Sequence, residues 1–81
     1  MSYRTEFPDY DDELPTLECF EDTSWHNDEC PSLGNDEGWK VYCDYKNPDR
    51  WAGDTRYAVS NPDCETVLET NNFSEVVAFF N

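Results

Sequence analysis

Two short runs in the middle of the chain, Trp39 to Lys46 and Arg56 to Ser60, alternate apolar and polar residues, which is the pattern of strands with one buried face. In the first run Trp39, Val41, Cys43 and Tyr45 fall on one face, and Lys40, Tyr42, Asp44 and Lys46 on the other. In the second, Tyr57 and Val59 share the apolar face while Arg56, Ala58 and Ser60 turn away. The connection, Asn47 to Asp54, contains Pro48, Asp49 and Gly53 and is too long for a tight two-residue turn. The span from Gly38 to Ser60 therefore reads as a β-hairpin whose apolar face the rest of the chain must cover. Within the connection, Trp51 reads as a lid folded back over the sheet, with an exposed anchor for a partner as the alternative.

The flanking segments supply that cover. Leu14 to Glu21 reads as a strand with Pro15 near its start, where a proline is tolerated, and with Leu17 and Cys19 toward the core. Asp22 to Glu37 reads as a long loop from its Asn, Asp, Pro, Ser and Gly content, with Trp25 packed on the sheet edge and Cys30-Pro31 turning the chain back toward the hairpin. After an Asn61-Pro62-Asp63 turn, Thr66 to Thr70 adds a further short strand. Asn72 is an N-cap with Glu75 placed as in a capping box, and Phe73, Val76, Val77 and Phe80 follow at i, i+3, i+4 and i+7, one face of a helix. The expected architecture is α+β: a small antiparallel sheet of three to four strands with one C-terminal helix packed on one face. Residues 14–81 form its single domain, because a chain this short buries little more than about 60% of its unfolded surface and cannot fill two cores. Residues 1–13, where Tyr3, Phe7 and Tyr10 alternate with carboxylates, read as an extended, flexible acidic arm, or as a segment that orders against a basic partner.

Charge narrows the function. The 81 residues carry 19 carboxylates against 5 Lys and Arg, a net charge of −14, and −11 of it lies in residues 1–37. A domain of this length is roughly 30 Å across, and duplex DNA places roughly 18 charges on that length. The same sum disfavours direct binding to nucleic acid or to an anionic membrane. No catalytic signature is present: His26 stands beside Trp25, Asn27, Asp28 and Glu29, but no nucleophile has a fixed spacing to it, so the chain is not expected to be an enzyme or to carry a cofactor. Cys19, Cys30, Cys43 and Cys64 include no CxxC pair, so no metal site is expected. Neither Asp9 to Glu13 nor Asn35 to Gly38 has the length or spacing of an EF-hand loop. The start, MSYRTEFPDYDDELP, lacks the basic and apolar regions of a secretory signal, so a cytoplasmic location and free, mostly buried thiols are expected.

A compact body approaching the charge of the DNA it could displace suggests an acidic inhibitor that occupies the basic nucleic-acid-binding groove of another protein. Asp28, Glu29, Asp36 and Glu37 on the long loop are the first candidates for that contact, Asp11, Asp12 and Glu13 on the arm the next, and Trp25 and Trp51 the packed anchors. In this general character, short, strongly acidic, cysteine-containing and α+β, the chain resembles the small inhibitors encoded by bacteriophages and mobile elements, including anti-CRISPR and anti-restriction proteins. The resemblance covers composition, not individual positions. It implies DNA mimicry against a bacterial defence effector, possession of a protein partner such as a CRISPR effector, and residence in the host bacterial cell. Two alternatives share the charge: an antitoxin or immunity protein neutralising a basic nuclease toxin, and an acidic phage accessory or scaffold protein without inhibitory activity.

Overall fold

The computed structural model describes residues 2–81, and in it both alternating runs are strands. The chain forms β1 (Glu21–Asp22), β2 (Ser32–Gly34), β3 (Lys40–Cys43), β4 (Tyr57–Ser60) and β5 (Thr66–Thr70), with the helices α1 (Tyr3–Glu6) and α2 (Phe73–Phe80) at either end. The five strands lie in sequence order in one antiparallel sheet. In the hairpin, Val41 sits opposite Val59 and Cys43 opposite Tyr57. These four inward residues join Leu33 and Val76 in the buried core. Period-two alternation thus becomes burial directly, because a strand turns successive side chains to opposite faces.

The helix lies where its apolar stripe must go. Asn72 caps it by accepting from the Ser74 N–H at 3.1 Å. The reciprocal half of a capping box is replaced by Thr70, whose Oγ1 accepts from the Asn72 N–H at 3.1 Å. Val76 is fully buried, and Phe73 and Phe80 pack against the core. Phe80 also meets Phe20 and Trp39, with ring centroids 4.9 and 5.6 Å apart, so the helix closes the core against the N-terminal third of the chain.

Three readings change. The sheet has five strands, not three to four, because β2 lies inside the stretch read as a loop. Ser-Leu-Gly offers one large apolar side chain and little strand propensity. It is a strand because both of its edges are paired and because Ser24 Oγ accepts from the Ser32 N–H at 3.2 Å. Gly34 permits that packing: a Cβ there would lie 2.9 Å from the Thr23 methyl. Second, the strand expected from Leu14 reduces to Glu21–Asp22 at its end. A turn closed by the Phe20 N–H to the Leu17 carbonyl, at 3.0 Å, precedes it. Cys19 in that turn is exposed at φ 68°, whereas Leu17 does pack against the core.

Third, the stretch before Leu14 does not run out as an extended arm. Its helical turn is capped by Ser2, Phe7 is buried, and the Tyr10 hydroxyl donates to the Asp44 carbonyl at 3.0 Å. The Tyr10 ring stands between Tyr3 and Tyr45, at centroid distances of 5.7 and 5.2 Å. Burying Phe7 contributes about 1.5–3 kcal/mol, which offsets a part of the roughly 1–2 kcal/mol per residue that ordering the segment costs, and the Tyr10 and Asp11 contacts to the hairpin add to it. The whole molecule measures 30 × 25 × 21 Å. Its accessible surface of 5075 Å² is close to the roughly 5,050 Å² that a compact monomer of this mass exposes.

Candidate partner-binding surface

The sheet has a second face, away from α2, and its middle is an open cleft. Register builds the floor: Tyr42 pairs with Ala58 and Ala58 with Glu69, so these three side chains form one cross-strand row. Asn27 to Cys30 form one wall and Ala52, Gly53, Thr55 and Arg56 another, around about 380 Å³.

Asp44 holds the second wall in place. The sequence puts it among the outward residues of the hairpin, and it lines the cleft on that face, but it is buried there because the β3–β4 connection folds back onto it. Its carboxylate accepts from the N–H groups of Tyr45 and Ala52, both at 2.8 Å. Its carbonyl accepts from the Arg56 Nε at 3.2 Å. Arg56 in turn reaches Asp12 at 3.1 Å, so the one cation that lines the cleft among the described residues is already paired. Burial, with Asp44, Asp28 and Glu29 nearby, pushes the Cys30 thiol up to about 12. Burial and the Asp28 charge likewise raise the Tyr42 phenol. Burial is the larger cause of both shifts, and the neighbouring carboxylates add to it.

The candidate residues divide by what their side chains already touch. Asp28 and Glu29 line the cleft and have no intrachain side-chain partner among the described residues. Asp36 and Glu37 are exposed in the β2–β3 turn, at the opposite end of the sheet from the cleft walls. There Asn35 Oδ1 accepts from the Glu37 and Trp39 N–H groups at 3.1 and 3.0 Å, and neither carboxylate has a side-chain partner among the described residues. The N-terminal candidates are committed internally. Asp11 accepts from the Lys46 and Asn47 N–H groups at 2.7 and 2.9 Å, Asp12 pairs with Arg56, and Glu13 lies 4.0 Å from Arg4.

The two tryptophans also separate. Trp51 is folded back, its Nε1 donating to the Tyr45 carbonyl at 2.6 Å, as a lid would be. Trp25 is 41% exposed, and its ring lies against His26, with centroids 4.3 Å apart. His26 Nδ1 is 2.9 Å from Glu6, and that hydrogen bond holds the Glu6 carboxyl below its ordinary range. Glu69 and Tyr42 were not singled out from the sequence. Their alternation was visible, but the register that sets them in one row on the cleft floor was not.

All four cysteines are free, two buried (Cys30, Cys43) and two exposed (Cys19, Cys64), so the thiols are not mostly buried. Among the described residues, no cluster of His, Cys, Asp and Glu is placed to hold a metal ion, and no helix is long and apolar enough to cross a membrane. No family model matches the sequence, and no curated protein or solved structure matches it. Function has to be argued from this surface alone.

Proposed function

We propose that the protein is an acidic inhibitor that binds the basic nucleic-acid-binding groove of a bacterial defence effector, in the manner of an anti-CRISPR DNA mimic, and excludes the nucleic acid by competition. The observation that carries this reading is the surplus of uncompensated carboxylates on a small folded body. Glu6, Asp9, Asp11, Asp12, Glu13, Asp22, Asp44 and Glu65 have intrachain polar partners among the described residues; the other carboxylates, more than half of the 19, do not. A net charge of −14 over a longest dimension of 30 Å compares with roughly 18 phosphates on the same length of duplex. Carboxylates facing the partner's Lys and Arg would release counterions as phosphates do, and they are held on a fold, which lowers the ordering cost of binding.

The test is capture of the tagged protein's partners from bacterial lysate, including a strain expressing CRISPR effectors, with duplex DNA as competitor. Retention of a nucleic-acid-binding complex that DNA displaces is the expected result. Retention that DNA does not affect removes the competition mechanism, and retention of no basic protein removes the inhibitor reading.

A further inference from the structure

The cleft differs from the rest of the acidic surface, because it combines concavity, an aromatic floor and unneutralised carboxylates on two sides. We infer that it is a receptor for a single arginine side chain, and that, on the inhibitor reading above, this arginine belongs to the partner's basic groove. At about 380 Å³ the space is at the lower end of the range for small-ligand sites. That suits one long side chain better than a drug-sized molecule or a folded segment.

Charge complementarity selects a cation. Asp28 and Glu29 come from the wall and Glu69 from the floor, and none has an intrachain side-chain partner among the described residues. The cleft's own cation, Arg56, is held by Asp12 and the Asp44 carbonyl and cannot satisfy them. Cys30, beside them, is buried, and its thiol is raised by that burial first and by the Asp44, Asp28 and Glu29 charges second. An anionic occupant would add to these charges, and a neutral one would leave them without a counter-charge.

Shape selects guanidinium over ammonium. Tyr42 contributes a ring to the floor, and the ring already attracts a cation, since Lys40 Nζ lies 5.8 Å from its centre at the outer limit of a cation–π contact. A guanidinium is planar, stacks on such a ring and directs five donors in its own plane, so it can meet carboxylates from wall and floor together. An ammonium is a compact, strongly hydrated charge that gains less from the ring and more from remaining in water.

The experiment titrates the ¹⁵N-labelled full chain with N-acetyl-arginine amide, and separately with N-acetyl-lysine amide, following backbone amide shifts. Saturable shifts confined to residues 27–30, 42, 52–58 and 69, with the arginine probe binding more tightly than the lysine probe, are expected. Asp28→Asn with Glu69→Gln should weaken the arginine probe about tenfold, in line with the loss of charge-assisted hydrogen bonds. Asp36→Asn with Glu37→Gln, at the other end of the sheet, should leave it unchanged, and the spectra themselves report whether each variant is folded. Shifts spread evenly over the acidic surface, or absent, overturn the receptor; equal binding of the lysine probe overturns the guanidinium assignment. Because the probe needs no partner, the two readings fail separately. Probe binding without a captured basic protein retains the cleft and removes the inhibitor, and a captured effector with no probe binding does the reverse.

Discussion

Asp44 shows how one carboxylate can be structural in a protein whose other carboxylates are largely surplus. It is buried, and its oxygens and carbonyl tie together the start of the β3–β4 connection, Ala52, Tyr10 and Arg56. Asp44→Ala would leave the Tyr45 and Ala52 N–H groups without their acceptor and should cost about 2–3 kcal/mol, given the worth of hydrogen bonds to charged groups. Urea unfolding measures this, and Asp44→Asn should recover part of the loss. Gly38 is the corresponding backbone case. At φ 94° it occupies a conformation that a side chain disfavours, and a Cβ would lie 3.3 Å from Pro62. Gly38→Ala should therefore destabilise by about 1–2 kcal/mol, visible as a lower Tm, whereas Gly53→Ala, with nothing within 4 Å, should not lose stability through crowding. Acid sensitivity also belongs to particular residues. The Glu6 carboxyl is lowered by its hydrogen bond from His26, Asp9 by its bond from Arg50, and Asp12 by the Glu13 N–H and then Arg56. Desolvation opposes the shift at Asp11, but the Lys46 and Asn47 N–H groups still hold it low. A depressed folded-state value contributes stability that is present above the unfolded value, about 3.9–4.3, and is lost as pH falls through the folded one. On acidification below about pH 4 the wild type should therefore lose urea midpoint relative to Asp11→Asn, whatever the relief of self-repulsion common to both chains; no difference between the two would mean that Asp11 contributes nothing to the acid response.

At the scale of elements, α2 depends on two residues of different kinds. Val76 is fully buried among the hairpin side chains, so Val76→Ala should cost about 2 kcal/mol through lost contacts and a residual cavity. Asn72 works through the backbone, accepting from Ser74, and Asn72→Ala should cost about 1 kcal/mol. Both are checked by thermal or urea denaturation. The hairpin and α2 were also the elements most legible in the sequence: each carries several apolar side chains at one period, and period alone fixes which face is buried, whereas β5 was legible only as a short β-prone run after a turn. What was not legible was held by polar and backbone contacts with no period. β2 exists because its neighbours pair with it and Gly34 lets Thr23 approach. The N-terminal segment is placed by Phe7, by Tyr10 bonding to Asp44 across 34 positions and by Asp11 reaching Lys46 across 35. The candidate surface divides similarly. Asp28 and Glu29 could be named from loop composition, but the row that sets Tyr42 and Glu69 on the cleft floor depends on strand register, which alternation does not specify.

For the whole molecule, the question is which sign of electrostatics governs the free protein. Its Arg-carboxylate pairs, Asp9–Arg50 at 2.6 Å and Asp12–Arg56 at 3.1 Å among them, favour the folded state, while a net charge of −14 on a body 30 Å long opposes it by self-repulsion. Exposed pairs contribute at most about 1 kcal/mol each. The repulsion instead sums over every unpartnered carboxylate within a screening length, which is about 30 Å at 0.01 M salt, the size of the molecule, and about 8 Å at 0.15 M. Repulsion should win. Raising sodium chloride from 0.01 to 0.3 M should thus increase stability by about 1 kcal/mol, a Tm rise of about 4–8 °C for a domain of this size. Replacing Asp28, Glu29, Asp36 and Glu37 by their amides should raise Tm at low salt and flatten its salt dependence. A Tm that falls with salt would mean that the pairs dominate. The wild-type carboxylates would then be poorly placed to supply the uncompensated field on which the proposed competition with nucleic acid depends.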